Sequence, residues 1–244
     1  MSYCLSVKLD TGIVFASDSR TSAGVDNISS YSKMHTFVTT DDRIFILLGV
    51  GNLGTTQAVV NLLQRDLEQT DGSTNLNTVK YMFDAAHYIG ELSCKVQGIR
   101  CNTMAQSGAN MEASFILGGQ IAGHPHETYH IYPEGNYITS SPIHPFLQIG
   151  ETKYGKPILD RIIKPDTDLN DAARCALVSL DSTMRSNLSV GPPLELAIYK
   201  KDTYKLDRHI VCELDSPFFV EVQNRWREGL VNAFNELPRF DWET

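Results

Sequence analysis

Between residues 3 and 9 the chain alternates. Tyr3, Leu5, Val7 and Leu9 are apolar, and Cys4, Ser6 and Lys8 stand between them. A period of two predicts a strand, here with one inward face. Asp10-Thr11-Gly12 supplies a turn, and Ile13 to Ala16 reads as a fuller apolar strand. The stretch from Asp18 to Ser32 is polar, contains glycine and reads as a loop. Met34 to Thr40 and Arg43 to Val50 then predict a hairpin around Asp41-Asp42.

The period changes after Asn52. That residue stands where a helix cap belongs, ahead of Leu53, Val59, Val60, Leu63 and Leu67 on one face. Asp71-Gly72-Ser73 breaks the helix. A second long helix is expected after Asn77, because Val79, Met82, Phe83, Ala86, Ile89, Ser93 and Val96 fall at helical spacing. Strands return at Glu112 to Leu117, Thr128 to Tyr132, Tyr137 to Thr139 after a Gly135-Asn136 turn, and Leu147 to Gly150. A helix pair follows, one from about Thr152 to Ile163 and ended by Lys164-Pro165, the other starting near Asp168. The second carries Leu169, Ala172, Ala173, Ala176, Leu177, Leu180 and Met184 on a single stripe. Leu194 to Lys200 and Lys205 to Val211 read as strands. Ser216-Pro217 opens a last helix with Phe219, Val222, Trp226, Leu230 and Phe234, whose aromatic stripe serves packing or a subunit contact. Strands and helices are therefore segregated into blocks. That order predicts an α+β fold with two sheets stacked between helical layers, and not alternating βαβ units. No linker or short-period repeat interrupts the chain, so residues 1–244 are expected to form one domain.

Composition narrows the class. A chain of 244 residues with 42% hydrophobic content is enough for one ordinary core. No apolar run approaches the length of a membrane helix, and the start lacks the basic and apolar blocks of a signal peptide. Five cysteines without Cys-x-x-Cys spacing imply reduced thiols and a cytoplasmic location. A net charge of −8 makes nucleic acid and anionic membranes poor partners.

The candidate chemistry starts at the first strand. If Met1 is removed, Ser2 carries both a hydroxyl and a free α-amine. A serine hydroxyl alone is a weak nucleophile, and an adjacent amine can serve as its base. Unperturbed, that amine titrates at about 7.7–8.0, so a useful fraction is neutral near pH 7. Asp18 and Lys33 lie where a returning hairpin would bring both beneath Ser2. Taken alone, a serine after an initiator methionine means nothing, and an Asp–Lys couple is an ordinary internal ion pair.

Gly49-Val50-Gly51-Asn52-Leu53-Gly54 is formally a GxGxxG between a strand and a helix. A dinucleotide fold needs a parallel strand after that helix. Here a second helix follows instead. The other use of such glycines is to expose backbone N–H groups to an oxyanion. His124, His126 and His130 with Glu127 raise the question of a metal, but the loop-like spacing lacks a further ligand, and no cofactor is expected. Cys4 lies on the opposite strand face from Tyr3 and Leu5 without a neighbouring histidine, which argues against it as a nucleophile.

Ile13-Val14-Phe15-Ala16-Ser17-Asp18-Ser19-Arg20-Thr21-Ser22-Ala23-Gly24 resembles the start of a proteasome β-type subunit. The Ser start behind Met1, the Gly24-Val25-Asp26-Asn27-Ile28-Ser29 run and Ser186-Asn187-Leu188-Ser189-Val190-Gly191-Pro192 resemble the bacterial ancestral β-subunit group, Anbu. The resemblance spans nearly the whole chain. It implies the four-layer αββα fold of N-terminal nucleophile hydrolases and cleavage of amide bonds. It assigns Ser2 as nucleophile with its α-amine as general base, Asp18 and Lys33 as the groups that tune them, and Gly51 as the oxyanion-hole amide. Ser19 and Arg20 complete the Asp-Ser-Arg motif, and Thr21 and Gly49 line the substrate pocket.

Some positions depart from the family. Serine replaces the usual threonine, and Lys33 sits one residue nearer to Asp18. Glu151 stands where the family has a supporting serine. Ser186 replaces an aspartate three residues before the retained Ser189. The resemblance implies identical subunits in ring-like assemblies and a peptide or protein substrate, and leaves open whether an unfoldase feeds them. The rival reading is a non-catalytic assembly subunit, for which the lost accessory residues argue and the retained Asp18 and Lys33 do not.

Overall fold

The computed structural model describes residues 2–22, 28–69, 72–104 and 110–243. Met1, the segment from Ala23 to Asn27, and Asp71 of the expected helix break lie outside them. β1 (Tyr3–Leu9) and β2 (Gly12–Asp18) form the first hairpin, with Cys4 opposite Ser17. Short strands β3 (Arg20–Ser22) and β4 (Ile28–Ser30) pair with each other. β5 (Met34–Thr40) and β6 (Arg43–Gly51) form the second long hairpin. Helices α1 (Leu53–Leu67) and α2 (Met82–Met104) follow. Strands β7 (Ala113–Ile121), β8 (Glu127–Ile131), β9 (Tyr137–Thr139) and β10 (Phe146–Gly150) come next. Helices α3 (Lys156–Ile162) and α4 (Leu169–Ser186), strands β11 (Leu194–Lys200) and β12 (Leu206–Cys212), and helix α5 (Pro217–Asn235) complete the chain.

The long strands make two five-stranded antiparallel sheets, ordered β10-β1-β2-β11-β12 and β5-β6-β7-β8-β9. Side-chain alternation divides the interior into three apolar clusters. One joins Tyr3, Leu5 and Val7 of β1 to Leu159 of α3 and to Ala172, Ala176 and Leu180 of α4. Another joins Phe45 and Leu47 of β6 to residues of α1 and α2. A third lies between the sheets and contains Cys4, Ile13, Phe15, Ile44, Ile46, Leu48 and Ile116. This corrects the one-faced reading of β1. Cys4 and Ser6 are fully buried, because a second sheet covers the face that alternation assigned to the outside.

Local caps account for most helix starts. Asn52 accepts the N–H of Thr55 ahead of α1, and Asp168 accepts that of Asn170 ahead of α4. The second helix begins at Met82, later than the apolar spacing predicts. Asn75 accepts the N–H of Asn77 in a turn, and Asp84 accepts the N–H of Tyr81, which starts the helix there. Helix α3 is likewise shorter than 152–163, starting after Gly155 with Pro157 in its first turn. The loop expected from Asp18 to Ser32 contains the β3–β4 hairpin. On α5 only Phe219 is buried. Val222 and Trp226 lie against the core, while Leu230 and Phe234 are exposed.

Candidate active site

The ends of three strands meet at residue 2. Ser2 precedes β1 and is half-buried, and its carbonyl accepts the N–H of Glu151 at 2.8 Å. The next N–H, of Tyr3, donates to Asp18 Oδ1 at 2.9 Å. Tyr3 is itself anchored at its far end, where its hydroxyl meets Ser179 Oγ at 2.8 Å and accepts from Gln148 Nε2 at 2.5 Å.

Asp18 closes β2 and is fully buried. Lys33 Nζ donates to its Oδ1 at 2.5 Å and to the carbonyl of Arg20 at 2.8 Å. The N–H of Gly191 donates to Asp18 Oδ2 at 3.2 Å. Burial pushes the Asp18 carboxyl up from its ordinary range. The Lys33 charge and hydrogen bond, then the Tyr3 and Gly191 amides, oppose that rise. Lys33 is 7% exposed, so the pair is shielded from water almost completely.

Ser2, Thr21, Lys33, Gly49 and Gly51 line one cleft, with Phe115 and Thr56 at its floor beside Gly49. The N–H of Gly49 is taken by the carbonyl of Lys33 at 3.0 Å. Residues two apart in a strand direct their amides to the same edge. The Gly51 N–H therefore points to the β5 side of β6, beyond the point where β5 begins. Gly51 has φ +111°, and a Cβ there would collide with the carbonyl oxygen of Glu112. The same glycines do not make a dinucleotide site. β6 has antiparallel neighbours on both sides and α1 leads to α2, so no βαβ unit exists there.

The accessory positions divide. Ser19 Oγ donates to Glu195 Oε1 at 3.1 Å, and Arg20 Nη1 donates to the carbonyl of Leu188 at 2.7 Å. Glu151 is buried and accepts from Asn187 Nδ2 at 3.0 Å, and Asn187 Oδ1 accepts the N–H of Ser189 at 2.9 Å. Ser186 is exposed at the end of α4. Sequence reasoning missed the roles of Tyr3, Asn187, Gly191 and Glu195. Asn187 and Gly191 sit inside the Ser186–Pro192 motif, and Glu195 is the one charged residue among Leu194–Tyr199, which is a readable signal.

Burial raises the Cys4 thiol far above its ordinary value, so no useful thiolate forms. His126 Nε2 lies 2.6 Å from the carbonyl of Leu9, His130 stacks against Tyr132, and His124 meets Tyr81 edge-on. Among the described residues no group of three or more His, Cys, Asp or Glu is arranged to hold a metal.

No family model matches the chain, and neither does any curated protein. Solved structures do. Anbu (ancestral β-subunit) from Yersinia bercovieri is 43% identical over 98% of this chain and 99% of its own, with a TM-score of 0.91. A Gly-1 mutant of Anbu from Hyphomicrobium sp. strain MC1 is 42% identical over 99% and 100%, with a TM-score of 0.92. The Anbu complex from Pseudomonas aeruginosa, described as a helical assembly, is 43% identical over 98% of both chains, with a TM-score of 0.93. By class, then, the mixed α/β fold is that of a proteasome β-type subunit. The chain belongs to the Anbu family of ancestral β-subunits.

Proposed function

We propose that the chain is an N-terminal nucleophile hydrolase that cleaves peptide or other amide bonds through an acyl-enzyme on Ser2. The observation that carries this reading is the position of Lys33. Its ammonium is held by Asp18 and the Arg20 carbonyl on the wall of the cleft that Ser2 and Gly51 share. With Met1 removed, the α-amine of Ser2 takes the hydroxyl proton as Oγ attacks the substrate carbonyl. The Lys33 ammonium lowers the cost of the developing alkoxide, and Asp18 keeps that cation in place. The Gly51 N–H receives the tetrahedral oxyanion. The protonated amine then gives its proton to the leaving nitrogen as the C–N bond breaks. Water attacks the resulting ester, with the same amine as base, and releases the carboxylate product.

Thr21 and Gly49 border the substrate side chain, and Ser19, Arg20, Glu151 and Ser189 support the loops around the site. The three apolar clusters support the four-layer αββα arrangement of this hydrolase class, as one domain. The subunits assemble with identical copies, as the helical assembly of the Pseudomonas aeruginosa relative suggests. A head-to-tail contact closes into a ring or runs on as a helix according to its rotation. Exposed Leu230, Val231 and Phe234 on α5 supply apolar area for such a contact. Free Cys4, Cys94, Cys175 and Cys212 support a reducing, cytoplasmic setting.

Ser2→Ala tests the reading. It should abolish peptide turnover while leaving the assembly's sedimentation unchanged. Turnover that survives would remove Ser2 as nucleophile. A wild-type chain with Met1 removed that turns over no amide substrate would favour the non-catalytic assembly subunit.

A further inference from the structure

Glu195 is a carboxylate inside β11, 6% exposed and flanked by buried Leu194 and Leu196. A buried carboxylate costs several kcal/mol unless its oxygens are satisfied. Its two oxygens are divided between two chain segments. Oε1 accepts from Ser19 Oγ at 3.1 Å, and Oε2 accepts from Ser32 Oγ at 3.0 Å. Ser19 directly follows Asp18, and Ser32 directly precedes Lys33. His209 Nε2 on β12 lies 3.4 Å from Oε2, and His35 on β5 and Cys4 on β1 feel the same charge. Two backbone bonds bracket the arrangement, from the Tyr31 N–H to the Ser19 carbonyl at 2.9 Å and from the Gly49 N–H to the Lys33 carbonyl at 3.0 Å.

We infer that Glu195 is a positioning residue, a two-armed clamp that holds the segments carrying Asp18 and Lys33 in register so that the ammonium stays against the carboxylate. The clamp's consequence for catalysis rests on the hydrolase reading above, but its geometry does not. Its oxygens reach the site through the two serines and touch none of the reacting atoms, so its main effect falls on the rate of the chemical step.

The test compares Glu195→Ala with Glu195→Gln in the full chain. Glutamine keeps the shape and one acceptor. Ser32 Oγ, already 2.9 Å from the Met34 carbonyl, can donate there and accept from the new amide. Hydrogen exchange is read at the Tyr31 and Gly49 amides. Glu195→Ala should speed both by about tenfold, and Glu195→Gln should restore most of the protection. In turnover assays Glu195→Ala should lower kcat at least about tenfold with KM within about twofold, and glutamine should recover most of that loss. Compared with Glu195→Gln, which has lost the same charge, Glu195→Ala should move the acid limb of the kcat/KM profile to higher pH, because a displaced Lys33 repels the protonated Ser2 amine less.

Wild-type exchange at both amides in Glu195→Ala, or a wild-type rate and profile, would overturn the clamp. If Glu195→Ala does not fold, Ser32→Ala removes one arm and should still speed exchange at Gly49. A wild-type protein without turnover would sink the hydrolase reading, and the exchange measurement would still decide the clamp.

Discussion

The N–H of Tyr3 and the ammonium of Lys33 share one oxygen, Asp18 Oδ1, at 2.9 and 2.5 Å. The backbone directly after Ser2 is thereby fixed to the group that fixes Lys33. Asp18→Ala removes the acceptor that both donors share and leaves a buried ammonium without its carboxylate. Breaking such a pair costs about 3–5 kcal/mol. The variant should melt well below wild type and lose turnover. Asp18→Asn keeps an acceptor for Tyr3 and should recover part of the stability but little of the activity, as differential scanning calorimetry and steady-state kinetics would show.

Gly155 couples the helical layer to the same point. A Cβ there would collide with Ser179 Oγ and the Tyr3 hydroxyl. Gly155→Ala should therefore displace the Tyr3 ring, cost about 1–3 kcal/mol by overpacking, and lower kcat through Tyr3 and Asp18. A melt and a rate identical to wild type would show that Tyr3 does not transmit the strain.

Gly51→Ala tests the oxyanion donor. The positive φ and the Glu112 carbonyl leave no room for a side chain, so the peptide must rotate. Loss of one oxyanion donor costs about 10²–10³-fold in kcat, and that is the expected fall, with a smaller change in KM.

The pH dependence of stability has a definite sign. Burial holds the imidazoles of His35, His126 and His130 below their ordinary value of 6.5. Below that pH the unfolded chain binds protons that the folded chain refuses. Their stabilising contribution is complete above about pH 6.5 and is lost as pH falls through the folded values. The urea midpoint should therefore drop as pH falls below about 6.5. A midpoint constant below that pH would mean these histidines titrate alike in both states.

Much of the fold was legible because it is local. Alternation in β1, the Asn52 and Asp168 caps and the stripe on α4 each depend on neighbours within a few residues. What was missed depends on distance along the chain. Ser19 and Glu195 are 176 positions apart, and Gly191 reaches Asp18 across 173. No spacing rule links such positions, although a single carboxylate in the apolar β11 was a visible signal. The stripe on α5 left packing and a subunit contact both open. Helical spacing predicts an apolar face, and none of the described residues covers Leu230 and Phe234. Asp18 and Lys33 meet because β1–β2 and the start of β5 converge there, as the returning hairpin predicts.

The central claim is that the Ser2 hydroxyl and its own amine react as one unit beside Lys33. A peptide epoxyketone condenses with both groups at once and forms a ring with the chain terminus. Intact and peptide mass spectrometry of the treated wild-type assembly should place one adduct per subunit on Ser2, and none on Ser2→Ala. An unmodified N-terminal peptide from a sample with Met1 removed, or an adduct located on another residue, would contradict it.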